Sequence, residues 1–501
     1  MSITPDTVGA VIPMLRERHR RTKEGDLFAP ATAVRKMRVM VDAELAARPD
    51  RSGPVTPTAV LAGFLHHSQI ELWRYRVGGP SPDEAKWVER WGRTLPMHWP
   101  LVSEMSGEPA RHVSYSVEWA DNERIMRGAI FGRAVAVAER DTRSTAYDHL
   151  PPSAAAAQRR LDAVAAETAS TIQADLFISG REYLNEVTWS LGRGVTLCAP
   201  REGLALISLY LRHQGEFFDA IPPTLGFSSR YDKDSFFLIG ARELLPQSWR
   251  WLAASRPRRE MTDETDLLNL QAGVVQRLSQ ALQARDSLMW ALNTTRASHE
   301  DVHLGLDSCL LFLMASLDTA ARFTHGALGL PGEQQKAGWQ KPDWVKNAGK
   351  LAPDLSAILK DGTTHAAALT LLKTLRNTIH QAGMSQGVHQ RVGQREQIVV
   401  GLPKADAKKL ASAVKILGGA EKWGWTDLGE HGMHADPRLL VEFLLPAIVK
   451  LLNALMEATP VERLLGGGTL LPEDGRPPTG TGSQDLFNDF ARNSIRWQLG
   501  L

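Results

Sequence analysis

Apolar positions along the chain change period part-way, and the change divides it. Residues 154–213 run as an Ala-rich helical stretch ending near Gln173, a short apolar run ADLFIS, a helix, a second run GVTLCAP and the amphipathic REGLALISLYLRHQ. Short apolar runs alternating with helices predict buried parallel strands and so an α/β unit. Before it, TAVLAGFLHHSQIELWRYRV reads as helical, with Val60, Leu61, Phe64, Leu65 and the cluster from Ile70 to Trp73 at helical spacing. A loop, WVERWGRTLPMHWP, follows, and HVSYSVEWA then alternates like a strand with Val113, Tyr115 and Val117 on one face. From Thr262 the period is almost entirely helical. One helix covers about 262–295, and the next starts at Ser298, where Asp301 completes a capping box. Another starts at Asp436–Pro437 and aligns Leu440, Phe443, Leu444, Ile448, Leu451 and Leu455 in one stripe.

The predicted fold class is mixed: an N-terminal α/β portion with a short parallel sheet, followed by an all-α helical bundle, helical overall. The turn DHLPPS at 148–153 and the abrupt string SRPRREMTDE at 255–264 mark boundaries. They give a helical or mixed region 1–149, an α/β segment 150–254 and a bundle 263–460. The Gly/Pro/Thr-rich stretch within 466–484 predicts a flexible linker. The closing segment 485–501 gathers Leu486, Phe487, Phe490 and Trp497 at helical spacing, apolar enough to dock on the chain's own body or on a partner protein.

Composition narrows the function classes. With 501 residues, 43% hydrophobic and 23% charged, the chain has the make-up of a globular protein of several domains. A net charge of +2 imposes no global field toward nucleic acid. Two cysteines, Cys198 and Cys309, each inside an apolar run, read as core residues of a protein in a reducing compartment. The N-terminus reverses the order of a signal peptide, and the most apolar segment, Leu439 to Leu455, carries Glu442, Pro446 and Lys450. A cytoplasmic protein without a membrane partner is expected. No Walker loop, Rossmann glycine fingerprint or exposed-serine elbow occurs, so kinase, dehydrogenase and α/β-hydrolase readings drop out and no cofactor is expected.

The candidate chemistry sits in TLRNTIHQAG, 374–383. Leu369, Leu372, Leu375 and Ile379 form the buried stripe of a helix, and Gly383 stands where a left-handed residue would cap it. Arg376 and His380 each follow a stripe residue by one position, about 100° round the helix, and stack along the stripe's edge. An imidazole with a pKa near ~6.5 gives and takes protons at neutral pH. A neighbouring guanidinium holds a phosphate at two points, and Asn377 adds an orienting amide. That set suits metal-independent RNA cleavage, in which a 2′-hydroxyl attacks and charge grows on the phosphate oxygens. A two-fold interface would double it, which favours a homodimer. Among fifteen histidines, about one Arg-x-x-x-His is expected by chance, so structural context supplies the specificity.

That context resembles the HEPN superfamily of small helical bundles, many of them RNA-cleaving dimers, over roughly 263–460. The resemblance rests on LRNTIHQ and on SLDTAAR, 316–322, an earlier helix carrying an acid. It implies Arg376, Asn377 and His380 as catalytic residues, Asp318 as supporting acid, RNA as substrate, and a toxin, stress or phage-defence role. The family signature spaces its Arg and His more widely, and degenerate members serve as binding modules. The alternative reading is therefore a non-catalytic dimerisation, interaction or nucleotide-binding protein. The run from Ala165 through GVTLCAPREGLALI also resembles part of a PIN-like nuclease domain, in which an acid after the strand helps bind a divalent metal. Here Gly180 and Arg181 stand in that place, with Glu182 next and Asp175 opening the strand. An inactive α/β unit that regulates through a ligand at the carboxyl ends of its strands is the expectation. His67 with Glu71, expected on one helical face, and His431 with His434 lack a third ligand and read as surface or core histidines, while Trp423 and Trp425 read as packing residues.

Overall fold

The computed structural model describes residues 35–43, 45, 56–76, 88–90, 93–95, 98–105, 113–121, 124–186, 191–220, 228–262, 266–294, 298–381, 385–390, 396–402, 404–427, 433–466, 470 and 489–501. The chain forms two compact units. Among the described residues, one comprises those within 35–230, 293–294 and 497–501, the other those within 231–292 and 298–496.

The first is the α/β unit. Its elements are β1 (Met37–Asp42), α1 (Pro57–Phe64), β2 (Ile70–Tyr75), β3 (Val88–Arg90), β4 (Arg93–Leu95), β5 (Leu101–Glu104), β6 (Val113–Asp121), β7 (Arg124–Phe131), α2 (Gly132–Glu139) and α3 (Pro152–Thr171), followed by β8 (Leu176–Ile178), α4 (Glu182–Glu186), β9 (Thr196–Cys198), α5 (Pro200–His213), β10 (Phe218–Ala220) and β11 (Ser228–Arg230). Four strands form a parallel sheet in the order β2-β1-β8-β9. Every residue of the central β1 is buried, as parallel sheets covered on both faces require. Met40, Trp73, Phe177 and Leu197 share one core with the small residues Ala163, Ala166 and Ala169 of α3, and small side chains let that helix sit close to the sheet. On the opposite face, a Cβ added to Gly203 of α5 would come within 2.6 Å of the Ile178 side chain, so that helix rests directly on β8. The antiparallel sheet β5-β6-β7 contributes Tyr115, Val117, Trp119 and Ile130 to the α3 core, as the alternation in HVSYSVEWA predicts. Trp497–Leu501 is buried in this unit, where Arg212 donates to the Gln498 carbonyl at 3.0 Å and Arg201 to that of Leu501 at 2.6 Å.

Three expectations need correcting here. The helix read through TAVLAGFLHHSQIELWRYRV stops at Phe64, and IELWRY is β2, paired residue for residue with β1. A short apolar run suits helix and strand alike, and the waiting partner strand decides. No boundary falls at 149/150, because strands from both sides share one sheet and one core. The string SRPRREMTDE does not mark the boundary: the backbone is still helical as far as Thr262, and the change of unit comes at Arg230/Tyr231.

The second unit is helical, with α6 (Lys233–Leu244), α7 (Gln247–Thr262), α8 (Asp266–Asn293), α9 (His299–Ala327), α10 (Pro342–Leu351), α11 (Pro353–Ile358) and α12 (Thr364–Gln381), then β12 (Ser385–Gln390), β13 (Glu396–Gly401), α13 (Ala407–Ile416), β14 (Trp425–Asp427), β15 (Met433–Ala435), α14 (Pro437–Ala458) and α15 (Asp489–Gln498). Ser298 and Asp301 exchange both bonds of a capping box at the start of α9. Asp436 caps α14 by accepting from the Arg438 and Leu439 amides. Gly305 lets α9 approach α8 closely, since a Cβ there would stand 2.9 Å from the Leu288 backbone. Trp251 stacks on Phe323 with ring centres 3.9 Å apart and donates its indole N–H to the Met456 carbonyl at 2.9 Å. Arg285 and Glu442 pair at 2.6 Å inside the same core. Helices α9 and α14 are long and apolar enough to cross a membrane by length and composition, and most of the apolar window of each is packed inside the unit. In α15, Ala491 and Ile495 are buried and Arg492 pairs with Glu243 at 2.5 Å.

An antiparallel sheet of order β12-β13-β15-β14 accompanies these helices and has no counterpart in the predicted bundle. SQGVHQ, which forms β12, holds a single apolar residue, Val388, so no alternation announces it. Gly383, His431, Leu486, Phe487, residues 1–34 and the linker apart from Gly466 and Leu470 lie outside the described residues, as do the side chains of His380 and Phe490.

Candidate functional site

The order of the parallel sheet creates a switch point. From β1 the chain crosses to β2 on one side, and β8 pairs on the other, so the carboxyl ends of β1 and β8 lie side by side where the direction of winding changes, the position at which parallel α/β sheets commonly bind ligands. Asp42 closes β1 and points its side chain to the α3 face, in alternation with Val41. Ser179, directly after β8, donates its hydroxyl to Asp42 Oδ2 at 2.5 Å and accepts the Arg181 amide at 3.1 Å. The Arg181 guanidinium holds Asp42 Oδ1 through Nε at 3.0 Å and Nη2 at 2.9 Å. Its Nη1 reaches Asp162 Oδ1, on α3, at 3.0 Å. Tyr147 donates to the other Asp162 oxygen at 2.6 Å.

Backbone geometry shapes this cluster too. Tyr147 adopts φ +68°, uncommon outside glycine, in the turn before α3. Two carboxylates of α4 hold it there: Glu182 accepts the Tyr147 amide at 3.0 Å, and Glu186 accepts the amides of Thr145 and Ala146 at 2.9 and 3.0 Å. Residues that follow Arg181 in sequence thus fasten the loop that completes its surroundings. The Tyr75 ring, at the end of β2, lies 5.6 Å from the Arg181 guanidinium carbon, and its buried hydroxyl has no hydrogen-bond partner.

Two carboxylates and one guanidinium leave the cluster with one net negative charge. Burial raises the pKa of Asp162 above the ordinary carboxylate value, against the opposing pull of Tyr147 and Arg181. Burial also works against the charge on Arg181, but Asp42 and Asp162 outweigh it and hold the group above its usual value. Tyr75 and Tyr147 are both raised, chiefly by burial, and so remain protonated donors. A polar ligand carrying hydroxyl or amino groups suits this surface better than a bare phosphate, which the net charge repels.

Arg181 stands between the carboxylates of Asp42 and Asp162, and no group of three or more metal-ligating side chains occurs among the described residues. Asp175 stands at the opposite, amino end of β8, where both Nη atoms of Arg35 hold it at 2.7 Å. Glu182, the other candidate acid, is spent on the Tyr147 loop. Sequence reasoning missed Asp42, Ser179, Asp162 and Tyr147. The available signals were an acid closing the apolar run MRVMVD and an acid facing inward from an Ala-rich helix.

In the helical unit, α12 carries Arg376, Asn377 and His380 on its last turns. Leu369, Leu372 and Leu375 are buried, and Ile379 is partly so. Arg376 Nη1 donates to Asn377 Oδ1 at 3.3 Å, and its Nε is buried without a hydrogen-bond partner. Asp318, on α9, accepts from Gln340 at 3.2 Å; among the described residues no hydrogen bond or ion pair joins it to Arg376. The structure therefore brings Arg376 and Asn377 together and commits Asp318 elsewhere.

His67 lies in a turn, not on a helical face with Glu71; it stacks on Phe218 with ring centres 5.3 Å apart. Glu71, on β2, accepts from Arg38 and from the Trp73 indole. His434, Trp423 and Trp425 are buried, and so are both cysteines. No family model matches the chain, and neither a curated protein nor a solved structure matches it.

Proposed function

We propose that the protein is a cytoplasmic, HEPN-like effector that cuts RNA without a metal at the edge of α12, works as a homodimer in a toxin, stress or phage-defence response, and is regulated by a ligand at the switch point of its α/β unit. The observation that carries this reading is the Arg376–Asn377 pair, hydrogen-bonded along the edge of a packed helix with the Arg376 Nε withdrawn from water and unpartnered. A phosphate oxygen is the acceptor such a donor lacks. His380, one helical turn on, is the group in this stretch that moves a proton at neutral pH: it takes the proton of the attacking 2′-hydroxyl as the P–O2′ bond forms and the P–O5′ bond breaks, and the departing 5′-oxygen takes a proton from water, leaving a 2′,3′-cyclic phosphate and a 5′-hydroxyl. Asn377 holds the guanidinium in place.

Purified protein incubated with total RNA and with tRNA in EDTA tests the reading. Wild type is expected to cleave, and His380→Ala to lose roughly a hundredfold or more, the usual worth of a general base. Cleavage that survives in His380→Ala or Arg376→Ala overturns it. One observation favours a second reading, a nucleotide-binding or interaction module: Asp318 is engaged with Gln340, so the pair lacks the supporting acid. A mass adduct on the protein after incubation with labelled ATP, with RNA left intact, would establish nucleotide transfer in place of cleavage.

A further inference from the structure

Helix α9 opens with His299-Glu300-Asp301-Val302-His303, and Asp307 follows one turn later. On a helix, positions four apart share a face with their Cβ atoms about 6 Å apart. An H-E-x-x-H segment in helical form places two imidazoles where one zinc ion can take both. The capping box between Ser298 and Asp301 secures the first turn, so His299 is held in helical register with His303 at the helix end.

The side chains supply a second, independent observation. His299 Nδ1, His303 Nε2 and Asp307 Oδ1 are each withdrawn from water, and among the described residues each has no hydrogen-bond partner. Buried polar atoms in folded proteins are nearly always satisfied. Three successive positions of one helical stripe share the same defect here, and all three are metal-ligand types. A metal ion satisfies an imidazole lone pair that the protein leaves unused.

We propose that His299 and His303 chelate one divalent transition-metal ion of the zinc class, with Asp307 as the carboxylate that orients His303. His299 and Asp307 are eight residues apart, about 12 Å along the axis, too far to share an ion. That agrees with the absence of a three-ligand group among the described residues, and the remaining coordination positions go to water. Asp307 lies one turn from His303 on the same side; its Oδ1, without a partner among the described residues, is the acceptor that the second ring N–H of a metal-bound His303 would use. Asp301 is consumed by the cap and contributes no ligand.

Full-length protein stripped of metal, titrated with Zn²⁺ by calorimetry and with Co²⁺ by absorption, tests the proposal. One equivalent per chain is expected to bind the wild type. His299→Gln and His303→Gln should each abolish that binding, and Asp307→Asn should weaken it about tenfold. His149→Gln, which removes an exposed histidine of the α/β unit, should bind as wild type. His299 and His303 are only partly buried as whole residues, and circular dichroism checks that the glutamine variants keep their helix content. Failure of the wild type to bind, or unchanged binding in both glutamine variants, overturns the site. Because the readout is metal binding, its failure is distinct from failure of the metal-independent RNA reading.

Discussion

Arg181 Nη1 stands 3.0 Å from Oδ1 of Asp162, a carboxylate whose side chain has no exposed surface, while the same guanidinium grips Asp42 with its other nitrogens. One cation thus compensates two buried anions supplied by different elements. Arg181→Ala removes the cation and strands both. The expected cost is roughly 3–5 kcal/mol of α/β-unit stability, the range for breaking a buried pair from one side. Urea unfolding followed by tryptophan fluorescence measures it, and a loss under about 1 kcal/mol would assign the pair to the surface class.

The buried Tyr75 hydroxyl makes no hydrogen bond. Removing it relieves an unsatisfied group, so Tyr75→Phe should leave stability unchanged or raise it by about 1 kcal/mol. If the cluster takes a polar ligand, the same variant binds that ligand more weakly. Thermal unfolding with and without candidate hydroxylated ligands separates the two effects, and a strongly destabilised Tyr75→Phe would contradict the unpartnered hydroxyl.

Asp162 gives a pH signature with a definite sign. Its pKa is raised in the folded state, mainly by burial, above the ~3.9 of an unfolded aspartate. From about pH 4 upward the unfolded chain releases this proton while the folded chain still holds it, so this group's contribution makes stability fall as pH rises until the folded carboxyl also ionises. Asp162→Asn removes that slope. Urea midpoints of wild type and variant across pH 4–7 should diverge in that direction, and parallel curves would count against the raised value.

In the helical unit, Trp251 combines a stacked ring with a directed bond to the Met456 carbonyl. Trp251→Ala should cost about 3–5 kcal/mol through lost burial and the cavity left behind. Trp251→Phe keeps the stacking and loses the donor, for about 1–3 kcal/mol. Chemical denaturation of both variants distinguishes packing from hydrogen bonding: an unchanged Trp251→Phe would mean that the indole N–H contributes nothing, and equal losses in the two variants that the ring's packing adds nothing beyond it.

Some of this architecture is legible residue by residue. The capping box Ser298/Asp301, the Asp436–Pro437 helix start and the Leu440 to Leu455 stripe are local codes, readable because their partners lie within a few turns. The strands ADLFIS and GVTLCAP are legible for the same reason, bounded as they are by helices. Strand β1 went unread although it is the centre of the sheet: MRVMVD carries an arginine and an aspartate whose burial makes sense only beside Glu71 and Arg181. Strand β12 went unread because its backbone pairing with β13, not its side chains, defines it.

The sequence by itself determined the class, a parallel α/β unit followed by a largely helical one, because helical and strand periods are written in neighbouring residues. It also placed Arg376 and Asn377 side by side on α12. Tertiary structure alone decided the cluster of Asp42, Ser179, Arg181 and Asp162. Ser179 and Asp42 are 137 positions apart and meet only because β1 and β8 pair in parallel, and Arg181 meets Asp162 only because α3 packs on that face. The choice of neighbour strand follows from burying both faces of the sheet at once, a demand of the whole unit that no local run of residues encodes.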